Sequence, residues 1–251
     1  MIMKQEQTKW IELLNKGIKI WQLPDYAKPK GVRIVGVIPD IHVPYQHKKA
    51  LEFLSRTFVQ RGVTDIVCIG DFFDFNWHSK KYVKNYNIMG PTESKKASQR
   101  ILNVFAEEFP YVKFCWGNHD VRIVSKDEDD FFEDLEEAIR RTYKVPETWE
   151  FGMQFIIDDV CYIHGTGVSG QNGSLAMMRS KRMSTVIGHT HSFASVVYSN
   201  NGIETNFAMN VGCLVDLDAP VFDYGITSRE KPVLGCGVVY SKSYAEFVPM
   251  I

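Results

Sequence analysis

Histidines, aspartates and one asparagine recur in five short segments of the chain, each directly after a run of apolar residues. Their side chains offer imidazole, carboxylate and amide donors, a set that suits borderline divalent cations such as Mn²⁺, Fe²⁺, Zn²⁺ and Ni²⁺ and suits Mg²⁺ less well. Taken singly, each residue is more typical of a strand-end turn or a cap than of a metal ligand. The segments are residues 40–42, 70–74, 117–120, 164–165 and 188–191.

The candidate ligands are too many for one ion. A single ion takes about four protein ligands or fewer, and at least seven candidates occur in the five segments. Two ions about 3.5–4 Å apart that share a carboxylate would use all of them. The residue types therefore favour a dinuclear metal site, which requires that the fold bring the five segments together.

The elements before these segments predict that they meet at one edge of a sheet. Apolar runs typical of buried strands occupy residues 33–38, 65–69 and 112–116. Helical spacing follows each run, at residues 50–58, 97–109 and 131–139. This alternation predicts an α/β fold with a largely parallel sheet covered by helices. Ligands of such sheets bind outside the carboxyl ends of the strands.

The second half of the chain has the pattern of a hairpin-rich region. We interpret residues 154–163 as one strand and residues 175–182 as a short helix. Strands are also predicted at 185–187, 193–198 and 203–209, with the turn-forming pair Asn201 and Gly202 joining the last two. Residues 235–240 and 244–248 predict another hairpin. We expect one domain over residues 31–251, preceded by an N-terminal extension and linker over residues 1–30.

The composition predicts a folded domain with no general affinity for nucleic acid. The 251 residues are 45% hydrophobic and 24% charged, which excludes wholesale disorder, collagen and coiled coil. Twenty-nine Lys and Arg against 30 Asp and Glu give a net charge of −1. Proteins that grip long nucleic acids usually carry a basic excess, so any such contact would have to be local.

The sequence has no pattern of a membrane span or an export signal. No apolar run approaches the roughly 18 residues of a membrane helix, and residues 1–10 are polar and mixed in charge. The five cysteines are scattered and form no CxxC pair, which is typical of free buried thiols in a reducing compartment. We therefore expect a cytoplasmic protein without a membrane partner.

The five segments together resemble the signature of the calcineurin-like metallophosphoesterases. They span residues 40–191, more than half of the chain. The long loop and helix between residues 70 and 120 also resemble compact members encoded by phages and prophages, whose location would be the host cytoplasm. The resemblance implies two stacked mixed β-sheets flanked by helices. The matching motifs are Asp40-x-His42, Gly70-Asp71-x-x-Asp74, Gly117-Asn118-His119-Asp120, His164-Gly165 and Gly188-His189-x-His191.

The resemblance implies a role for most of the motif residues. His119 is not a ligand but faces the substrate, and Asp74 holds and polarises His119. Two divalent metal ions are expected, with Mn²⁺ favoured and Fe, Zn, Ni or Mg as alternatives. The ligands of one metal would be Asp40, His42, Asp71 and His191, and those of the other would be Asp71, Asn118, His164 and His189, so that Asp71 bridges.

The expected reaction is hydrolysis of a phosphoester bond. Two ions lower the pKa of a shared water, so that a bridging hydroxide is available as the nucleophile near neutral pH, and they neutralise charge in the in-line transition state. His119 is expected to protonate the leaving oxygen, which is worth roughly 10²–10⁴-fold. Asp74 would fix the tautomer of His119 and keep the ring cationic. For Asp120, both a supporting role and direct catalysis stay open.

One position departs from the protein Ser/Thr phosphatases of this superfamily. Those enzymes follow the second aspartate with Arg-Gly, and the arginine grips phosphate, whereas Phe75 and Asn76 follow Asp74 in this chain. The departure argues against a protein phosphatase of that type. Arg122 is a candidate replacement cation for binding the substrate, with an ordinary surface salt bridge as the alternative.

The long segment over residues 76–93 is a candidate substrate loop. Loops longer than about 12–15 residues are often lids or binding loops. Aromatic residues interleave with lysines in this segment, which suits stacking on a base beside a phosphate. We predict that Trp77, His78 and Lys81 contact a nucleotide or a nucleic acid end. A loop packed on its own aromatic side chains, with solvated lysines, is the alternative.

These observations together predict an enzyme that acts on a small phosphoester, with a phosphodiester or a nucleotide favoured. A metal-dependent nuclease acting on DNA or RNA ends is the alternative within this class. A non-catalytic scaffold with the same fold is the alternative from another class. Scaffolds of that kind have eroded ligand sets, and none of the expected ligand and acid positions is missing here. The sequence does not indicate an oligomeric state.

Overall fold

The elements of the chain are described from a computed structural model, which covers residues 17–28, 31, 33–78, 88–124, 131–225 and 229–251. These residues form an α/β fold with two mixed β-sheets and four α-helices. The predicted fold class is therefore confirmed. None of the helices in the described residues is long and apolar enough to cross a membrane.

The first sheet has six strands and contains the parallel half of the fold. Its parallel strands are β1 (Val35–Ile38), β2 (Asp65–Cys68), β3 (Lys113–Cys115) and β4 (Glu150–Gly152). Helices α1 (Ala50–Arg61), α2 (Pro91–Glu108) and α3 (Phe131–Tyr143) follow the first three strands, as predicted. The C-terminal hairpin of β10 (Gly235–Ser241) and β11 (Tyr244–Pro249) completes the sheet, with β10 antiparallel to β1.

The second sheet has five strands and comes from the second half of the chain. Its strands are β5 (Gln154–Ile157), β6 (Val160–Ile163), β7 (Ser184–Ile187), β8 (Ala194–Asn200) and β9 (Thr205–Val211). They lie in the order β5-β6-β7-β9-β8, and α4 (Gly173–Lys181) connects β6 to β7. The predicted hairpin joins β8 to β9, although its loop has four residues because Asn200 pairs with Thr205.

The central strands of the first sheet are buried on both faces. In β2, Ile66 and Cys68 belong to a hydrophobic cluster shared with helical residues such as Leu54. Val67 and Ile69 belong to a second cluster, which contains residues of both sheets. Because successive side chains of a strand point to opposite faces, a strand between two layers needs an uninterrupted apolar run. This explains the unbroken apolar patterns from which these strands were predicted.

The interpretation of residues 154–163 as a single strand is wrong. The stretch folds into β5 and β6, which pair antiparallel with Ile157 opposite Val160. Asp158 and Asp159 form the turn between them, with φ of 49° and 62°, in the left-handed region that two-residue hairpin turns require. The pair contains neither the glycine nor the asparagine that usually signals this turn. The three-residue strand β4 was also not predicted, because it is too short to show a pattern.

Part of the predicted N-terminal linker packs against the domain. Trp21 is 2% exposed and belongs to the cluster beneath the helices. Its Nε1 donates to the carbonyl oxygen of Glu108 at 3.1 Å, and Lys19 Nζ lies 2.6 Å from the Glu108 carboxylate. These contacts tie residues 19–21 to the end of α2. The domain boundary at residue 30 stays a prediction.

Candidate metal centre

The structure brings the five ligand segments together where strands of both sheets end. The segments follow β1, β2 and β3 in the first sheet and β6 and β7 in the second. The amides of Ile41 and His42 donate to the carbonyl oxygen of Asp71 at 3.1 and 3.0 Å, which joins the first two segments. The amide of His189 donates to the Asp40 carboxylate at 3.1 Å, which joins the two sheets. The site lies at the carboxyl ends of the strands, as expected for such sheets.

One group of ligand-type side chains consists of Asp40, His42 and His191, whose donor atoms lie within 4.8 Å of one another. His191 Nε2 is 3.0 Å from Asp40 Oδ2 and 3.2 Å from His42 Nε2. Since His42 Nδ1 faces Asp74 Oδ1 at 2.9 Å, the Nε2 of a neutral ring has a lone pair to offer. Two imidazole nitrogens this close, beside a carboxylate, fit a shared divalent cation.

A second group consists of Asp71, His164 and His189. His164 Nδ1 donates to the carbonyl oxygen of Ile69 at 3.0 Å, which leaves Nε2 for the site. This Nε2 lies 3.3 Å from Asp71 Oδ2 and 3.1 Å from Asn118 Oδ1. A backbone carbonyl on the far nitrogen is a common outer partner of a metal-binding histidine. Imidazole, carboxylate and amide oxygen therefore converge here, and this donor set also fits a divalent cation.

Asp71 connects the two groups. Its Oδ2 lies 3.8 Å from Nε2 of His42 and 3.3 Å from Nε2 of His164, one histidine of each group. Its Oδ1 accepts a hydrogen bond from the amide of His119 at 2.7 Å. One carboxylate oxygen is thus held by the backbone, while the other faces both groups. His42, Asp71 and His119 also form a third group of candidate ligands.

Three of these residues have an unusual backbone conformation. His42, Asp71 and His189 have φ of 53°, 49° and 66°, which places them in the left-handed region. This conformation costs roughly 1–2 kcal/mol for a residue with a side chain. Such strain persists only where the surrounding structure fixes it, and it clusters at functional sites. The strained backbone supports a functional role for the residues that it orients.

The electrostatics of the centre depend on charged pairs. Burial alone would raise the pKa of Asp71, but the charges of His164 and His119 lower it well below its usual range. Burial opposes the charged form of His164, yet Asp71 and Asp40 raise the pKa of His164 to about 10. In the other group, burial and the charge of His119 lower the pKa of His42. A cation bound at His164 would therefore displace a proton.

His119 and Asp74 form a pair at the more open side of the centre. The side chain of His119 is 20% exposed and that of Asp74 is 1% exposed. His119 Nδ1 lies 2.7 Å from the carbonyl oxygen and 3.3 Å from Oδ1 of Asp74. Since both atoms are acceptors, Nδ1 carries a proton and Nε2 is left for another partner. Burial alone would raise the pKa of Asp74, but hydrogen bonds from His119 and His42 lower it well below its usual range.

The Asp74 carboxylate also contacts a residue that the sequence did not assign to it. Its Oδ1 is 2.9 Å from Nδ1 of His42 and 3.3 Å from Nδ1 of His119. Asp74 is therefore shared between a candidate metal ligand and the candidate acid. Only the second of these contacts was expected, as one that the resemblance to the family implies; the contact with His42 was not.

Arg122 reaches the same corner of the site. Its Nη1 donates to the carbonyl oxygen of Asp74 at 3.3 Å and lies 2.8 Å from His119 Nδ1. Because His119 Nδ1 is itself a donor to Asp74, the shorter distance is a close contact between two donors and not a hydrogen bond. No carboxylate of the described residues pairs with Arg122. The salt-bridge alternative for Arg122 therefore has no support in this part of the chain.

Asp120 holds together the loops that follow β2 and β3. It is fully buried, and its Oδ2 accepts hydrogen bonds from the amides of Asp71 at 2.7 Å and Gly117 at 3.0 Å. Its Oδ1 accepts from the amide of Phe73 at 2.9 Å. These bonds join the loops after β2 and β3. Of the two roles left open for Asp120, they favour support over direct catalysis.

The start of the candidate substrate loop is packed on aromatic rings. The ring centroids of Trp77 and His78 lie 3.8 Å apart, and they lie 6.4 and 5.9 Å from that of Phe75. Trp77 also packs against the cluster beneath the helices. Such packing is what the packed-loop alternative expects, and a contact of Trp77 and His78 with a substrate stays a prediction. Lys81 lies outside the described residues, and its role stays a prediction.

A supporting residue at the end of β9, Asn210, was not predicted from the sequence. It is 2% exposed. Its Nδ2 donates to Oγ1 of Thr190, which lies between the two histidines of the last motif. Its Oδ1 accepts from the amide of Gly212 at 3.1 Å. One signal in the sequence could have found it: Asn210 is an amide in an otherwise apolar strand. A buried polar side chain needs hydrogen-bond partners, so such a residue is expected to hold a neighbouring segment.

Comparison with known proteins gives one family and several similar folds. The family model for calcineurin-like phosphoesterase matches residues 34–199. No curated protein sequence matches the chain. Among solved structures, Vacuolar Protein Sorting 29 from Cryptosporidium parvum is similar, with 14% identity over 86% of this chain and 96% of that chain and a TM-score of 0.46.

Two further similar structures come from bacteria. YfcE, a phosphoesterase from E. coli, has 16% identity over 87% of this chain and 98% of that chain, with a TM-score of 0.41. The nuclease MPE from Pseudomonas putida has 10% identity over 85% of this chain and 86% of that chain, with a TM-score of 0.39. The family match covers more than half of the chain and includes all five ligand segments. The resemblance of the motifs is thereby confirmed, and the chain belongs to the calcineurin-like phosphoesterase family.

Proposed function

We propose that the chain is a two-metal hydrolase of phosphoester bonds. The observation that carries the proposal is the position of Asp71, whose Oδ2 faces a histidine of each ligand group. Membership of a family of phosphoesterases supports it. The donor set favours Mn²⁺, with Fe, Zn, Ni and Mg as alternatives. In this proposal Asp40, His42, Asp71 and His191 hold one cation, and Asp71, Asn118, His164 and His189 hold the other.

The bound cations would supply an activated water and positive charge for the phosphate oxygens. The chain shields these ligands from water, since the side chains of His42, His164 and Asp71 are at most 3% exposed. His119 and His191 are more open, at 20% and 16%. The phosphoester therefore approaches from the side of these two histidines.

His119 is the proposed general acid. Asp74 holds Nδ1 of the ring, which leaves Nε2 as the free nitrogen. In the doubly protonated ring, Nε2 gives its proton to the leaving oxygen as the ester bond breaks. Loss of such a step costs roughly 10²–10⁴-fold in rate.

Arg122 is the proposed contact to a phosphate oxygen. Its guanidinium lies against His119 and has no carboxylate partner among the described residues. Arginine is well suited to phosphate because its planar fork offers several donors. Trp77, His78 and Lys81 are the proposed contacts to the base of a nucleotide or of a nucleic acid end.

A phosphodiester or a nucleotide is the proposed substrate. The net charge of −1 supports a small phosphoester over a long nucleic acid. A nuclease acting on DNA or RNA ends is the alternative that a substrate panel separates. Five free, buried cysteines support the predicted reducing, cytoplasmic compartment.

Hydrolysis of a substrate panel in the presence of Mn²⁺ tests the proposal. The panel contains an aryl phosphate, a bis-aryl phosphate, a cyclic nucleotide and single-stranded DNA. We expect turnover of the diester or the nucleotide that requires added metal and stops on chelation. Asn118→Ala should weaken metal binding, whereas His119→Ala should keep the metals and lose at least roughly 10²-fold in turnover.

The other outcomes of this experiment are also informative. Preferential cleavage of single-stranded DNA would support the nuclease. A purified chain that binds two cations and hydrolyses none of the four substrates would support the non-catalytic scaffold and contradict the proposal.

A further inference from the structure

The connection between β9 and β10 is bound to the loops of the candidate metal centre. It begins at residue 212, beyond the end of the family match at residue 199. Near its start, the amide of Leu214 donates to the carbonyl oxygen of Asp40 at 2.8 Å. Near its end, the amide of Val233 donates to the carbonyl oxygen of His191 at 2.8 Å. The two ends of this connection therefore hold two ligands of the first group.

The same connection also holds the loop that follows His42. The amide of Asp216 donates to the carbonyl oxygen of Tyr45 at 2.8 Å, and the amide of His47 donates to that of Leu214 at 2.7 Å. These bonds run like an added strand along residues 45–47. They fix residues 214–216 beside the loop that follows His42.

Phe222 is the side chain of this connection that meets His42. It lies in a short 3₁₀ turn, Pro220–Gly225, and its ring stands edge-on to His42 at 5.7 Å and 90°. It also stands edge-on to Tyr45 at 6.5 Å and 81°. Edge-to-face contacts of this kind are favourable at such distances. Phe222 is thus anchored between the ligand and a buried tyrosine.

His42 has several other neighbours besides Phe222. Asp74 holds its Nδ1, while the ring centroids of His119 and His191 lie 4.4 and 4.9 Å from that of His42. His42 also has the strained φ of 53°, a conformation that needs support from several directions. The side chains of His119 and His191 are 20% and 16% exposed, whereas that of His42 is 1% exposed, so further neighbours must help to cover the His42 ring.

We propose that Phe222 is a positioning residue for His42, which it holds with Nε2 directed at the first cation site. The inference rests on the proposed function in one respect, that His42 binds a divalent cation. Truncation of the ring would open space beside the imidazole, admit water and allow the ring to tilt. The aromatic contacts of Phe222 are with His42 and Tyr45, so we expect the affinity of the second cation site to be unaffected.

Titration of the metal-free protein with Mn²⁺ tests the proposal without any substrate. We expect wild type to bind two ions and Phe222→Ala to bind one of them about tenfold more weakly, in the range found for outer partners of metal ligands. The other ion should keep its affinity within twofold. Phe222→Tyr retains the ring and should stay within threefold of wild type at both sites. Phe155→Ala is the matched control, because Phe155 is equally half-buried but packs in the second cluster.

A double variant shows whether the effect passes through His42. In the His42→Ala background, adding Phe222→Ala should change the remaining Mn²⁺ affinity less than twofold. Wild-type affinity at both sites in Phe222→Ala would overturn the proposal, as would an equal loss at both sites. Thermal melts of the metal-free proteins identify a variant that has failed to fold, in which case Phe222→Leu replaces it in the same comparison.

The proposal and the proposed function fail in different ways. If wild type hydrolyses the panel and Phe222→Ala binds both ions normally, only the role of Phe222 is wrong. If wild type binds two ions without hydrolysing any substrate, the function is wrong while the titration still decides the role of Phe222. A wild type that binds no Mn²⁺ contradicts both.

Discussion

At the scale of single residues, the centre depends on a glycine that allows two loops to approach. A Cβ at Gly188 would lie 2.2 Å from Asp40 Oδ1. Asp40 is fully buried and accepts the amide of His189, so its carboxylate cannot move without losing that bond. Gly188→Ala should displace Asp40 and weaken Mn²⁺ binding by about tenfold or more, as measured by titration of the metal-free protein.

The control for this prediction is another glycine with free space around it. Gly90 precedes α2 with φ of −67°, and nothing lies within 4 Å of the Cβ that alanine would add. Gly90→Ala should bind Mn²⁺ like wild type. If Gly188→Ala also binds Mn²⁺ like wild type, the proposed role of Asp40 as a ligand is contradicted.

The residues of the centre were predictable to very different degrees. Asp71 and His189 stand in short motifs beside glycines, so residue type and spacing alone identified them as candidate metal ligands. Phe222 and Asn210 act on partners that are distant in sequence or on the neighbouring strand. Asn210 lies in an otherwise apolar strand, and Phe222 lies in a connection of mixed polar and apolar residues. Contacts across such distances leave no local pattern, and only the folded chain shows them.

At the scale of elements, the hairpin of β5 and β6 offers a test of turn chemistry. Asp158 and Asp159 both have positive φ, which costs roughly 1–2 kcal/mol for a residue with a side chain and little for glycine. The double change Asp158→Asn and Asp159→Gly introduces the preferred residues of this turn. It should raise the free energy of unfolding by about 0.5–1 kcal/mol, because the strain relieved exceeds the entropy that glycine adds to the unfolded chain, as measured by urea denaturation.

The Asp159→Gly change also removes an ion pair with Lys242, and the effect of losing this pair must be measured separately. Asp159 lies 3.7 Å from Lys242 Nζ, and both side chains are more than half exposed, so the pair contributes little. Lys242→Gln removes the pair alone and should change stability by less than about 0.5 kcal/mol. A double turn variant less stable than Lys242→Gln would show that the left-handed conformation at residues 158–159 carries no strain.

The prediction of elements succeeded where each strand and its helix are consecutive. The runs before α1 and α2 are unbroken and apolar because both faces of their strands are buried, and this property is visible locally. The C-terminal hairpin was also predicted, but its place beside β1 was not. Val35 pairs with Val239, and no feature of either strand's own sequence specifies the other as its partner.

At the scale of the whole molecule, an ion pair joins the first helix to the last strand. Arg61 at the end of α1 donates from Nε and Nη2 to the two carboxylate oxygens of Glu246 in β11, both at 2.9 Å. Tyr240 donates its hydroxyl to the same carboxylate at 2.9 Å. The hydrogen bond from Arg61, only partly opposed by burial, lowers the pKa of Glu246. The pair thus couples the C-terminal hairpin to the layer of helices.

The lowered pKa of Glu246 predicts how this link depends on pH. Since the folded state favours the anion, the pair stabilises the protein above the unfolded pKa of about 4.3 and is lost as the pH falls through the folded value. Both side chains are about one third exposed, so Glu246→Gln should cost only about 0.5 kcal/mol at neutral pH. The difference in melting temperature between wild type and Glu246→Gln should shrink toward zero as the pH falls below the ordinary range of a glutamate carboxyl. Glu107→Gln, at an exposed position of α2, is the control, and a gap for Glu246→Gln that stays constant with pH would show that the carboxylate contributes through packing and not through its charge.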